Sequence, residues 1–86
     1  MGNKSHEVLE AELKEAEQHV RVGQRYSHYK DPSKLYKVIS LGIDESSDRV
    51  CVIYQAEYNP KLIFVRTLDE WLRQPDANTK RFNPVK

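Results

Sequence analysis

At 86 residues, with 31% charged and 38% hydrophobic side chains, the chain has material for one small domain with a single core, and a chain this size buries only roughly 60–65% of the surface its unfolded form exposes. A net charge of +1 excludes a strong overall field for nucleic acid or a membrane surface, and one cysteine, Cys51, excludes an internal disulfide and any need for an oxidising compartment. No signal-peptide pattern and no apolar run of membrane-spanning length is present, so a soluble cytoplasmic protein without a membrane role is expected.

The start Met1-Gly2-Asn3-Lys4-Ser5 resembles a myristoylation signal, but that motif wants Ser or Thr where His6 stands. Ser5 is a good helix N-cap, with Glu7 in the first turn to complement the dipole. Leu9, Leu13, Ala16 and Val20 then recur at helical spacing. Glu10–Lys14 and Glu17–Arg21 are i,i+4 pairs in the favoured order, and Gly23 suits a stop beyond the last turn. The helix is expected over residues 6–21, as an amphipathic segment 1–22 ahead of the main domain at 23–86. It carries three bases against five acids. Its narrow apolar stripe suits docking on its own domain. Pairing with another chain is the alternative.

Gln24 to Lys30 reads as a short strand, and Asp31-Pro32-Ser33-Lys34 as a turn with Pro32 fixing φ. Leu35 to Ile43 and Arg49 to Tyr58 are rich in β-branched and aromatic residues. The polar break Asp44 to Asp48 joins them in a hairpin, with Gly42 as a bulge or bend. Asn59-Pro60-Lys61 is a second tight connection, so Leu62 to Arg66 is a further antiparallel strand. Thr67 or Asp69 caps one helical turn, Leu68 to Arg73, with Leu68, Trp71 and Leu72 on one side. Gln74 to Lys80 is a polar loop. Arg81 to Val85 closes the chain as a strand, with Pro84 tolerable only at an edge or end. Five short strands with a helical turn before the last predict a mainly β protein: a small five-stranded SH3-like barrel with an added N-terminal α-helix.

Gly23, Tyr26, His28-Tyr29-Lys30, Tyr36 to Ile39, Val52 to Ala56, Tyr58 and Phe64 to Leu68 resemble the Domain of Unknown Function 1653 family. Its members are mostly bacterial stand-alone domains. The family pattern runs Tyr-x-His-Tyr-Lys, a Tyr-x-Val strand, a His-x-Glu-Thr turn, a Val-Val-Tyr strand, then Trp-Val-Arg-Pro ahead of Met-Phe. The resemblance covers residues 23–85 and implies an SH3-type barrel. It implies no activity. The chain departs from the pattern at the turn, where Asp44, Ser46 and Ser47 stand for His, Glu and Thr. It departs again at Phe64, Thr67 and Glu70-Trp71. An activity needing the turn histidine would be absent.

No catalytic constellation, cofactor motif or metal-ligand spacing is present. His6, His19, His28 and Cys51 lack a ligand pattern, and Ser27 and His28 point to opposite faces of a strand. Gly23 and Gly42 are isolated, so no phosphate loop forms. Cys51, between Val50 and Val52, reads as a small core hydrophobe.

The enriched set is aromatic and basic. Tyr26, His28, Tyr29, Lys30, Tyr58, Arg66 and Trp71 are the candidate groove, while Tyr36 and Tyr54 read as core. Period-2 alternation places Tyr26, His28 and Lys30 on one face and Tyr29 on the other. The chain therefore reads as a small non-enzymatic binding module, recognising a protein or peptide segment through an aromatic groove. The alternative is RNA or single-stranded DNA on the same rings, rimmed by Lys30, Arg25, Arg73, Lys80 and Arg81. A monomer is expected, and a helix-mediated dimer is the second possibility.

Overall fold

The computed structural model describes residues 4–85; Met1 to Asn3, where the myristoylation-like start lies, and Lys86 are outside the described residues. The elements run α1 (His6–Ala16), β1 (Arg25–His28), β2 (Asp31–Asp44), β3 (Arg49–Ala56), β4 (Ile63–Thr67), α2 (Leu68–Leu72) and β5 (Phe82–Val85). As expected, the protein is mainly β with an N-terminal helix.

Ser5 starts α1, its Oγ accepting from the Val8 N–H at 3.2 Å. The helix ends at Ala16, with Glu17 as its C-cap, five residues short of the expected Arg21. The N–H groups of both His19 and Val20 reach the Ala16 carbonyl, at 2.9 and 3.0 Å. The chain tightens there, and fully buried Val20 enters the core from outside the helix. Helical spacing for Glu17–Arg21 is lost with it. Gly23 is a turn residue rather than the helix stop. At φ +90° it holds the left-handed backbone that glycine adopts most readily, and its N–H bonds the Val38 carbonyl at 2.8 Å.

The sheet is antiparallel throughout, in the order β4-β3-β2-β1-β5. β4 and β5 are its two edges, and among the described residues no ladder joins them, so the expected barrel is an open sheet. The sheet is nevertheless strongly coiled. Strands spaced about 4.8 Å apart would set β4 and β5 far from each other in a flat sheet. Instead the Arg66 guanidinium carbon of β4 lies 5.4 Å from the centre of the Phe82 ring of β5.

Asp31 to Lys34 belong to β2 and form no turn. Tyr29 and Lys30 make the connection instead, and the register slips between Ser27 and His28. Pro32 suits both readings, because its fixed φ fits an extended strand end as well as a turn. The bulge expected at Gly42 lies at Ile39: Val38 pairs with Tyr54, whereas Ser40 pairs with Ile53. The extra residue turns Val38 and Leu41, three apart, to the same side as Tyr54 and Val52, two apart. Gly42 pairs with Cys51, and a Cβ there would meet Ile53 Cδ1 at 3.2 Å.

The β2–β3 turn is tied down by Asp44, whose carboxylate accepts from Ser46 and Ser47. Those bonds, from Ser47 first, hold its pKa below the ordinary carboxylate value. Asp48 closes the turn at φ 59° and accepts the Lys4 N–H at 2.9 Å, fixing the start of α1 to the hairpin. Thr67 caps α2 through the Glu70 N–H. The core cluster is Val20, Tyr26, Val38, Val52, Tyr54, Trp71 and Phe82. Val38 and Val52 lose all contact with water, which stabilises the fold by about 1.5–3 kcal/mol each. No helix among the described residues is long and apolar enough to cross a membrane.

Candidate functional site

The inner face of the coiled sheet packs Val20 and Trp71 in its core and carries beside them an aromatic cluster around Tyr36, the mouth. Cross-strand register puts Tyr26 opposite Tyr36, and Tyr36 opposite Ala56. Tyr54 stands between Val38 and Phe64, and His28 opposite Phe82. Side-chain alternation then turns Tyr36, Phe64, Arg66, His28 and Phe82 to one side.

Tyr36 is the hub. Its ring makes edge contacts with Tyr54 at 5.6 Å, Tyr58 at 5.8 Å, Phe64 at 6.2 Å and Phe82 at 6.5 Å. Its hydroxyl lies 3.4 Å from that of Tyr58. Burial, and then the hydrogen bond to Tyr58, push the Tyr36 phenol up to about 12. Tyr58, 48% exposed, and Phe64, 36% exposed, form the lip.

Cations stand around these rings. Arg66 lies over Phe82 and donates from Nε to the Tyr54 hydroxyl at 3.3 Å. Among the described residues it has no carboxylate within ion-pair distance. Lys34 approaches the Tyr58 ring at 5.2 Å, and Arg81 and Lys30 approach Tyr29 at 5.8 and 5.9 Å. His28 packs edge-on to Phe82 at 5.1 Å and beside Tyr29 at 4.8 Å. Its Nδ1 accepts the Lys30 backbone N–H at 3.1 Å, so the neutral ring carries its proton on Nε2. Burial first, then the charges of Arg66, Arg81 and Lys30, lower its pKa from the ordinary imidazole value. Asp31 is the acid nearby, and a hydrogen bond from Ser33 holds its pKa low.

The seven candidate groove residues therefore separate. His28, Tyr29, Lys30, Tyr58 and Arg66 gather at or beside the mouth. Tyr26 and Trp71 do not: they are 7% and 4% exposed and pack against each other edge to face at 5.2 Å. Trp71 also stacks flat on Phe82 at 3.7 Å. They fill the core because they occupy inward-facing positions of β1 and α2, while aliphatic residues such as Ile39, Ile63 and Val65 are left exposed. Tyr29 sits beside His28 rather than on the other face, because β1 ends at His28 and the turn resets alternation. Tyr54 is buried as expected, whereas Tyr36 is only partly covered. Phe64 joins the mouth unassigned, and Phe82, itself a core residue at 6% exposed, lies beneath it against His28, Tyr36 and Arg66. Period-2 alternation from Arg66 identifies Phe64, but Phe82 becomes visible only once β5 is paired with β1.

Two of the expected basic rim residues are engaged elsewhere. Arg25 makes a two-pronged bond to Glu57 at 2.7 and 2.8 Å, and Arg73 pairs with Glu70. Cys51 is buried on the outer side of the sheet. Burial, and then the charge of Asp44, push its thiol pKa up. Among the described residues no three of His, Cys, Asp and Glu lie together as a metal site.

A family model described as "protein of unknown function (DUF1653)" matches residues 24–84. The crystal structure of a protein belonging to that family, from Bordetella bronchiseptica, superposes with a TM-score of 0.64 at 29% identity. The match covers 79% of this chain and 90% of that one. No curated protein matches the chain.

Proposed function

The chain belongs to the DUF1653 family, whose function is unknown, and from that premise we propose that it is a small non-enzymatic binding module taking an extended protein segment at the aromatic mouth. The observation that carries this reading is Arg66, partly buried among Tyr54, Phe64 and Phe82 without a carboxylate partner among the described residues. An arginine held over a ring and bonded through Nε to the Tyr54 hydroxyl keeps its remaining N–H groups in a fork that fits a carboxylate. Aromatic faces by themselves favour a cationic ligand, but the surplus of Lys30, Lys34, Arg66 and Arg81 opposes one. The ligand is therefore a segment with an acidic group beside an apolar or aromatic residue. The absence of activity belongs to the same proposal. It is supported by the raised pKa of Cys51 and its place on the far side of the sheet from His28. A cytoplasmic setting, in which that thiol stays reduced, is part of it.

Nucleic acid is the second reading, favoured by the four cations beside the rings. The pairing of Arg25 and Arg73 with carboxylates weighs against it. Peptide display on the full chain, with Tyr58→Ala and Arg66→Gln as counter-selections, tests the first reading. Enriched segments with an acid beside an aromatic, lost on both variants, are expected. Segments retained equally by both variants would refute the mouth. Oligo-dT titrated across a salt series tests the second, because counterion release makes nucleic-acid affinity fall steeply with salt.

A further inference from the structure

The two edges of the sheet are built differently. β5 is four residues long and carries Pro84, which has no N–H to offer a new strand, the usual way of blunting an edge. β4 has no proline, and no charge between Lys61 and Arg66. The ladder to β3 fixes which backbone groups of β4 are free. The Ala56 N–H bonds the Leu62 carbonyl at 3.0 Å. By antiparallel alternation, Phe64 and Arg66 turn their backbone groups to β3 as the Leu62 carbonyl does, while Ile63, Val65 and the Thr67 N–H turn outward; the Leu62 N–H goes to the Asn59 carbonyl at 2.9 Å and the Thr67 carbonyl belongs to the start of α2. The side chains of those three lie on the outer face, where Val65 is 67% and Ile63 54% exposed. Val65 continues a cross-strand row through Ile53 to Ser40. A cleft of about 440 Å³ lined by Gly42, Cys51, Ile53, Val65 and Thr67 runs beside it.

We propose that β4 pairs with β4 of a second copy of this chain, antiparallel, about a two-fold axis at Val65. In that register Val65 meets its own counterpart with its outward N–H and C=O groups facing each other, and Ile63 meets Thr67, whose N–H faces the Ile63 carbonyl while its own carbonyl is held in α2 as the N-cap's. The row Ile53–Val65 runs on into Val65–Ile53 of the other copy without a break. Lys61, in the turn before β4, comes to the end of the pairing where the other copy's Asp69 stands in the first turn of α2, twice by symmetry. This charge match within one sequence selects a second copy over an unrelated strand. Pro84 denies β5 the same role, so association stops at two. The dimer alternative read from the sequence used the helix. α1 instead turns Leu9, Leu13 and Ala16 toward its own sheet, with Ala16 fully buried.

Light scattering on the full chain over a dilution series is the test. The expected mass is twice the 10.1 kDa of one chain at high concentration, falling to one chain on dilution. Val65→Lys is expected to be monomeric throughout and to melt like the dilute parent, since Val65 is largely exposed on its own chain. Lys61→Asp should weaken pairing about tenfold, and adding Asp69→Lys should restore it. A parent chain that stays monomeric to millimolar concentration overturns the proposal. So does a Val65→Lys chain that still dimerises, or growth into open-ended assemblies.

Discussion

Arg66 and Phe82 meet across the gap between the two edge strands, the guanidinium carbon 5.4 Å from the ring centre. Three strands separate β4 from β5 in the sheet order, so the contact acts as a clasp where a closed barrel would have a ladder. The same arginine is the candidate ligand-binding cation. One side chain therefore helps to close the coil and to form the mouth.

Arg66→Lys tests the clasp. Lysine keeps the charge but loses the broad guanidinium over Phe82 and the Nε bond to the Tyr54 hydroxyl. A loss of about 1 kcal/mol is expected, the sum of a weak cation–π contact and one modest hydrogen bond. The urea midpoint should fall with an unchanged slope. An unshifted midpoint would remove Arg66 from the forces holding the edges together.

His28 should make stability depend on pH in mildly acidic solution. Its folded pKa is lowered, by burial first and then by Arg66, Arg81 and Lys30. Between that lowered value and the ordinary imidazole value of 6.5 the unfolded chain binds the proton and the folded chain does not. Stability is therefore full above about pH 6.5 and falls as pH drops below it. Protonation would also bring a fourth positive charge among three. Melting temperatures of the parent and of His28→Gln between neutral pH and pH 5 check this. The parent should lose more than the variant over that interval, and parallel curves would contradict the assignment.

Cys51 should label slowly in the native state. It is 4% exposed, its Sγ sits 3.7 Å from the Arg49 carbonyl, and its pKa is raised by burial and by Asp44. Little thiolate is present at neutral pH, and thiolate is the reactive form. Labelling with a maleimide in buffer and in denaturant gives the comparison. Equal rates would place the thiol at the surface.

The strands were legible because β-branched and aromatic runs such as Val50 to Tyr54 have one comfortable conformation. The errors share a cause: a local signal served a non-local purpose. Val20 continues the helical spacing of Leu13 and Ala16, yet the chain has left the helix before reaching it. Pro32 satisfies a turn and a strand equally, and only the pairing of His28 with Asp31 decides. Tyr26 and Trp71 have the amphipathic rings of a binding surface, but their depth depends on which strand lies opposite. Phe82 could not be placed beneath the mouth without the β1–β5 ladder, which joins residues more than fifty apart. Arg66 was legible as a candidate because a charge inside an apolar strand is unusual in itself. Its lack of a carboxylate partner required the fold.

Truncation decides where the sheet domain begins. The sequence places the boundary between residues 22 and 23, but Val20 is 1% exposed within the core cluster, and the Arg21 N–H donates to the buried Tyr26 hydroxyl at 3.2 Å. A chain starting at Glu17 loses α1, the buried Ala16 and the Lys4–Asp48 bond, yet keeps Val20. It is expected to fold with a modestly lower melting temperature. A chain starting at Gly23 also loses Val20, leaving a cavity beside Tyr26 and the other core side chains. Removing a whole buried aliphatic side chain costs about 2–4 kcal/mol, a large part of the roughly 5–15 kcal/mol that holds a domain folded. That chain should be largely unfolded at physiological temperature. Circular dichroism melts of the two chains give the answer. If both melt alike, residues 17–22 are dispensable and the boundary lies at Gly23. If the chain starting at Glu17 is itself unfolded, α1 is part of the core.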